Sequence, residues 1–154
     1  MNKSEIAQKY FANQYNCSQS VFATLAPDLG LSADSSLKIA CAFGGGMGKQ
    51  QHTCGAVTGA LMAIGLKYGK GLNDSDDKKQ ISYEKTVQFF NKFKAIHGSI
   101  TCKDLLKGLD MNNPDDIEQI QSEAMFTKLC PQYVATAVQI TEQLFTEHYN
   151  EHLQ

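Results

Sequence analysis

One segment constrains the fold of this chain more than any other, the apolar run from Cys54 to Leu66, CGAVTGALMAIGL. At about 13 residues it suits a buried core helix better than a membrane span, which needs about 20. Gly55, Gly59, Ala60, Ala63 and Gly65 leave one face almost without side chains. Each internal Gly costs roughly 1 kcal/mol relative to Ala. The pattern therefore predicts close backbone approach, either to a neighbouring helix or to a bound group.

The rest of the chain carries helical periodicity and no period-two alternation. Ser4 is placed to cap a first helix running to about Asn13, with Ile6, Tyr10 and Phe11 on one face. Asn16 starts a second, with Val21, Phe22 and Leu25 inward, which Pro27 breaks. Ser32 or Asp34 opens a third to about Phe43, and the turn Gly44-Gly45-Gly46-Met47-Gly48 follows. Thr53 begins the fourth helix, Cys54 to about Tyr68, closed by Gly69 and Gly71. After a polar linker, Asn73 to Lys79, comes a long amphipathic helix with Val87, Phe90, Phe93, Lys94 and His97 at near-helical spacing, ended by Gly98. A short helix runs from Cys102 to about Lys107, and Asn112 to Asp116 reads as a turn with an acidic helix start. A last helix begins at Pro131 and carries Val134, Val138, Ile140 and Leu144 inward. The expectation is an all-α fold, one compact bundle of about six to seven helices over residues 1–154.

No apolar stretch precedes the first helix, so the chain reads as cytoplasmic and not inserted in a membrane. The net charge is -2, and all 14 basic residues are lysine. Arginine is the usual bidentate reader of phosphates and guanine edges, so its absence argues against nucleic-acid recognition.

Four of the five cysteines share a local setting. Asn16, Thr53 and Thr101 are good N-cap residues, each immediately before a thiol: Cys17, Cys54 and Cys102. Cys130 precedes Pro131, so Cys130 would itself occupy an N-cap. A helix N-terminus carries roughly +0.5 of an elementary charge and lowers a thiol's pKa there. Thiolates are both nucleophiles and metal ligands, and in a reducing compartment cysteines are more often catalytic, redox-sensing or metal-bound than structural disulfides. Cys41 lies late in a helix among apolar neighbours and reads as core packing.

Three separated runs, Asn16 to Val21, Phe43 to Gly48 and Thr53 to Leu61, resemble the redox-active protein family labelled C_GCAxxG_C_C. Cys102 and the Cys130-Pro131 pair complete its cysteine pattern, and Cys41 falls outside it. The family label has a Gly before the motif Cys, where this chain has Thr53 and places Gly55 after Cys54. The resemblance implies redox activity, and a redox partner protein or a transporter-associated protein as partner. It is similar as well to a domain of some multihaem cytochromes in which an iron–sulfur centre is suspected. This chain has no C-x-x-C-H, which excludes covalent c-type haem.

The leading expectation is a metal centre, preferably an iron–sulfur cluster, serving electron transfer or redox sensing, and metal-free thiol–disulfide chemistry is the alternative. Cys17, Cys54, Cys102 and Cys130 are candidate ligands for an iron–sulfur cluster or zinc, with Gly45, Gly46, Gly48 and Gly55 turning backbone N–H groups toward the bound group. Without metal, Cys54 with Cys17 or Cys130 would cycle between dithiol and disulfide. A third class is a binding module with structural cysteines, and a homo-oligomer is compatible with any of these. The Gly44 to Lys49 run is not a phosphate loop: it is one residue short, and Gln50 stands where Ser or Thr is required. His52 reads as a fifth ligand, a base or an exposed loop residue. His97 suits a helix C-terminus. His148 and His152, four apart, have metal-compatible spacing, yet their neighbours Glu147, Asn150 and Glu151 read as a solvated face. Tyr15, Tyr68 and Tyr133 read as packing.

Overall fold

The computed structural model describes residues 1–153, with side chains through Glu147. The His148–His152 pair lies outside the described side chains. The helices are α1 (Lys3–Ala12), α2 (Cys17–Leu25), α3 (Ala33–Ala40), α4 (Gly55–Tyr68), α5 (Asp76–His97), α6 (Cys102–Leu105), α7 (Pro114–Ser122), α8 (Met125–Lys128) and α9 (Cys130–Leu153). Short 3₁₀ turns at Pro27–Leu29 and Cys41–Phe43 follow α2 and α3. The fold is all-α, and the described residues contain no strand, only an isolated antiparallel bridge between Thr53 and Thr101.

Local signals account for most helix starts. Asn16 caps α2 reciprocally: its side chain accepts from the Gln19 amide at 2.9 Å, and Gln19 returns a bond to the Asn16 amide at 3.0 Å. At α1 the same box is built on Asn2 and Glu5, two residues earlier than Ser4. Ser4 is instead buried inside the helix, its hydroxyl donating to Ala135 O at 3.5 Å. The acidic segment after Asn113 develops into α7, with Pro114 at its first position. α8 had no sequence signal; Ala124, at φ 53°, turns the chain from α7 into it.

α4 lies at the centre, buried along most of its length and packed by α2, α5 and α9. Its bare face meets α2. A Cβ added at Gly59 would stand 2.7 Å from Ser18 O and 3.0 Å from Val21 Cβ, and one at Gly55 would stand 3.1 Å from Cys17 Cβ. The small residues therefore serve a helix–helix approach. Opposite, α9 contributes Val134, Val138 and Leu144, all fully buried. On α5 the buried stripe is Lys85, Phe89 and Phe93, while Val87 is exposed and Phe90 half-buried. The expected register was thus off by one position around Phe89.

A second, smaller core of Leu106, Ile120, Met125 and Cys130 lies beneath α6, α7 and α8. Phe11, Cys17 and Leu129 pack against both cores. Cys54 belongs to the main core and Cys130 to the smaller one, so the cysteines lie along the seam between them. No described helix is long and apolar enough to cross a membrane.

Candidate functional site: a five-cysteine cavity

A cavity of about 340 Å³ opens at this seam, and all five cysteines line it. Cys17 and Cys102 are the first residues of α2 and α6, as their caps Asn16 and Thr101 predict. Two placements differ from expectation. Cys54 is the N-cap of α4 and not its first residue, because residues 52–54 are held extended against residues 100–102. The Cys54 amide donates to Ile100 O and the Cys102 amide to His52 O, both at 2.7 Å. This bridge fixes Cys54 and Cys102 side by side. Cys130 is the first residue of α9 and not a cap, since the turn of α8 delivers the chain in helical conformation.

Cys41 is not core packing. It is exposed and lines the cavity, because the helix it was assigned to gives way to the 3₁₀ turn Cys41–Phe43. Its carbonyl accepts from the Asn16 side chain at 3.0 Å, which ties the turn to the cap that positions Cys17. A Cβ at Gly44 would collide with that Asn16 side chain.

The glycine turn has an unusual backbone. Gly45, Gly46, Met47, Gly48, Lys49 and Gln51 all have positive φ, a left-handed run that costs roughly 1–2 kcal/mol at each non-glycine position. Gln51 holds it in place. The Gln51 side chain is buried, donates to Leu109 O at 2.8 Å and accepts from the Met111 amide at 2.8 Å. Asn112 adds a bond to Lys49 O at 2.7 Å. A Cβ at Gly46 would stand 2.8 Å from Cys102 Cβ, so the turn lies directly against the thiol. Gly45, Gly46, Gly48 and Gly55 all line the cavity. Tyr133 does too, its hydroxyl donating to Leu105 O at 2.8 Å.

Electrostatics separate the thiols in a way their helix positions did not predict. Burial pushes Cys54 up to about 12 despite the opposing amides of Ala56 and Val57. Cys102 is also pushed up to about 12 by burial, then by the charges of Cys54 and Cys130. The rise at Cys54 from 9.0 to about 12 is worth about 4 kcal/mol, against ~0.3–1 kcal/mol from a helix terminus. Burial wins. Cys17 and Cys130 act on each other's ionisation. Cys17 donates to Cys130, which holds the Cys130 thiolate below the ordinary range and, together with burial, drives Cys17 well above it. Cys54 and Cys102 also oppose ionisation of Cys17, so the four sit within one another's fields.

A family model described as "Putative redox-active protein (C_GCAxxG_C_C)" matches residues 15–144. The chain belongs to this family. The C_GCAxxG_C_C match takes in Cys17, Cys54, Cys102, Cys130 and the glycine turn. A protein of Archaeoglobus fulgidus, described only as uncharacterized, is 31% identical over 133 residues, covering 82% of each chain. No solved structure matches. Among the described residues no three His, Cys, Asp or Glu side chains form a group that could hold a metal ion. His52 is exposed and is not part of the cavity lining. His97, half-buried, pairs with Thr136 Oγ1 at 2.9 Å, and burial lowers its pKa.

The residues missed in the sequence are those brought in by tertiary structure: Phe11, Met111, Phe126 and the bolt at Gln51. Gln51 gave one weak signal, a polar side chain between a glycine turn and a motif cysteine.

Proposed function

We propose that this chain is a thiol–disulfide redox protein whose working pair is Cys17 and Cys130. The observation that supports this is their placement: Cys17 packs against the small core that contains Cys130, both line the one cavity, and the Cys17 thiol lowers the pKa of Cys130. Such a pair is poised for oxidation: Cys130 is the nucleophile and Cys17 the resolving thiol. Joining them releases two electrons and two protons to an acceptor. Cys54 and Cys102, kept as thiols by burial, stay outside the exchange. The chemistry suits a reducing, cytoplasmic setting, with a redox partner or transporter-associated protein as the downstream contact.

Oxidation of the reduced chain with hydroxyethyl disulfide, followed by thiol counting and peptide mapping, tests this. The expected product has lost two thiols to a single Cys17–Cys130 linkage. Cys17→Ser should instead stall as a mixed disulfide on Cys130. No reversible linkage between these two residues would end the reading.

The shared cavity favours a second reading. Four soft thiol donors around one space suit an iron–sulfur cluster or zinc, provided the side chains close in on it. Anaerobic reconstitution with iron and sulfide, or with zinc, decides: stoichiometric metal lost on Cys54→Ser supports this reading, and unbound metal removes it.

A further inference from the structure

The cavity is larger than the thiol pair needs. A bond between Cys17 and Cys130 requires no empty space, yet about 340 Å³ lies open beside them, within the roughly 300–1,000 Å³ typical of small-molecule sites. Its apolar walls include Phe11, Leu105, Met111, Phe126 and Tyr133. Three of these are aromatic, which favours a flat, apolar occupant. Among the lining residues the one charged side chain is Lys49, and that residue is exposed. A multiply charged acceptor would therefore bring uncompensated charge into an apolar space, which is costly. A neutral acceptor meets no such penalty.

Two hydrogen-bond donors are also unused. Met47 N donates to Phe43 O and Gly48 N to Ala42 O, but among the described residues the Gly45 and Gly46 amides donate to no acceptor. Both glycines line the cavity, and Gly46 is buried. Nearly all buried amides are paired. Orphaned donors in a cavity wall call for an acceptor atom on a bound molecule, such as a carbonyl oxygen.

We propose that the cavity binds a quinone, a flat neutral ring with two carbonyl oxygens, as the two-electron acceptor for Cys17 and Cys130. This rests on the thiol–disulfide reading and names its oxidant. The Cys130 sulfur adds to a quinone carbon, forming a C–S bond and moving charge onto a carbonyl oxygen, where the Gly45 and Gly46 amides stabilise it. Cys17 then attacks the Cys130 sulfur. The S–S bond forms, the C–S bond breaks, and hydroquinone leaves with both electrons and the two thiol protons. Overall, two thiols and a quinone become a disulfide and a hydroquinone.

The test mixes the reduced full chain with duroquinone under anaerobic conditions. Every ring position of duroquinone is methylated, which disfavours a lasting thiol adduct. One hydroquinone and one Cys17–Cys130 disulfide per chain are expected, at a rate that saturates with duroquinone. Phe126→Ala should raise the half-saturating concentration about tenfold, and the redox-inert dimethyl ether of durohydroquinone should compete. A rate that rises linearly without saturation, or no competition by the ether, overturns the site, and the competition experiment stands even if the Phe126 variant does not fold. If hydroxyethyl disulfide forms the linkage and duroquinone does not, the quinone site fails while the thiol–disulfide reading stands. If neither forms it, both fail.

Discussion

At Cys54 two effects act on one sulfur: the amides of Ala56 and Val57 favour the thiolate, while burial favours the thiol and prevails. The folded chain therefore holds this proton more tightly than an unfolded chain, whose thiol keeps its ordinary 9.0. The stabilisation is complete below about pH 9 and is lost as pH rises toward about 12. Cys102 behaves in the same way. Urea unfolding should show stability falling above about pH 9, by up to about 1.4 kcal/mol per pH unit for each such thiol; a flat profile would contradict the burial argument. Cys130 has the opposite sign. Its iodoacetamide reaction should begin below pH 9, ahead of Cys17, Cys54 and Cys102, as mass spectrometry of time-stopped samples would read. The caps that place Cys17 and Cys102 were legible in the sequence because capping is local. Thiol ionisation was not, since it depends on burial by residues distant in the chain.

Among the elements, α4 offers a controlled comparison. Gly59 and Gly65 occupy the same helix, but a Cβ at Gly59 would meet Ser18 O at 2.7 Å, whereas one at Gly65 meets nothing within 4 Å. Gly65→Ala should stabilise by about 0.5–1 kcal/mol through helix propensity. Gly59→Ala should destabilise by about 1–3 kcal/mol, overpacking against α2 outweighing that gain. Denaturant midpoints check both, and equal signs would contradict the close-approach account. The glycine turn gives a related test. Gln51→Ala removes the bonds to Leu109 and Met111 that hold the left-handed run, and should cost about 1–3 kcal/mol. The small-residue face of α4 was visible as a pattern, but its partner was not. Periodicity misjudged α5 for a similar reason: Phe89 and Phe90 are adjacent and equally apolar, and packing against the other helices decides which one is buried.

For the whole molecule, the seam between two cores explains how cysteines far apart in the chain share one space. The main core supplies Cys54, the smaller one Cys130, and Cys17 touches both. Weakening the main core should loosen the pair without touching it. Leu144 is fully buried on α9, and Leu144→Ala should cost about 2–5 kcal/mol. The family's four-cysteine pattern was readable from sequence, whereas the volume between the thiols, and the place of Cys41 in its lining, depend on how helices from both halves of the chain converge.

The central claim is that Cys17 and Cys130 are the working pair, and peptide mapping of the mildly oxidised chain tests it most directly. The account predicts one disulfide, Cys17 to Cys130, reversible by dithiothreitol, with Cys41, Cys54 and Cys102 still alkylatable after unfolding. A linkage that instead joins Cys54 or Cys102, or five free thiols after oxidation, would contradict it.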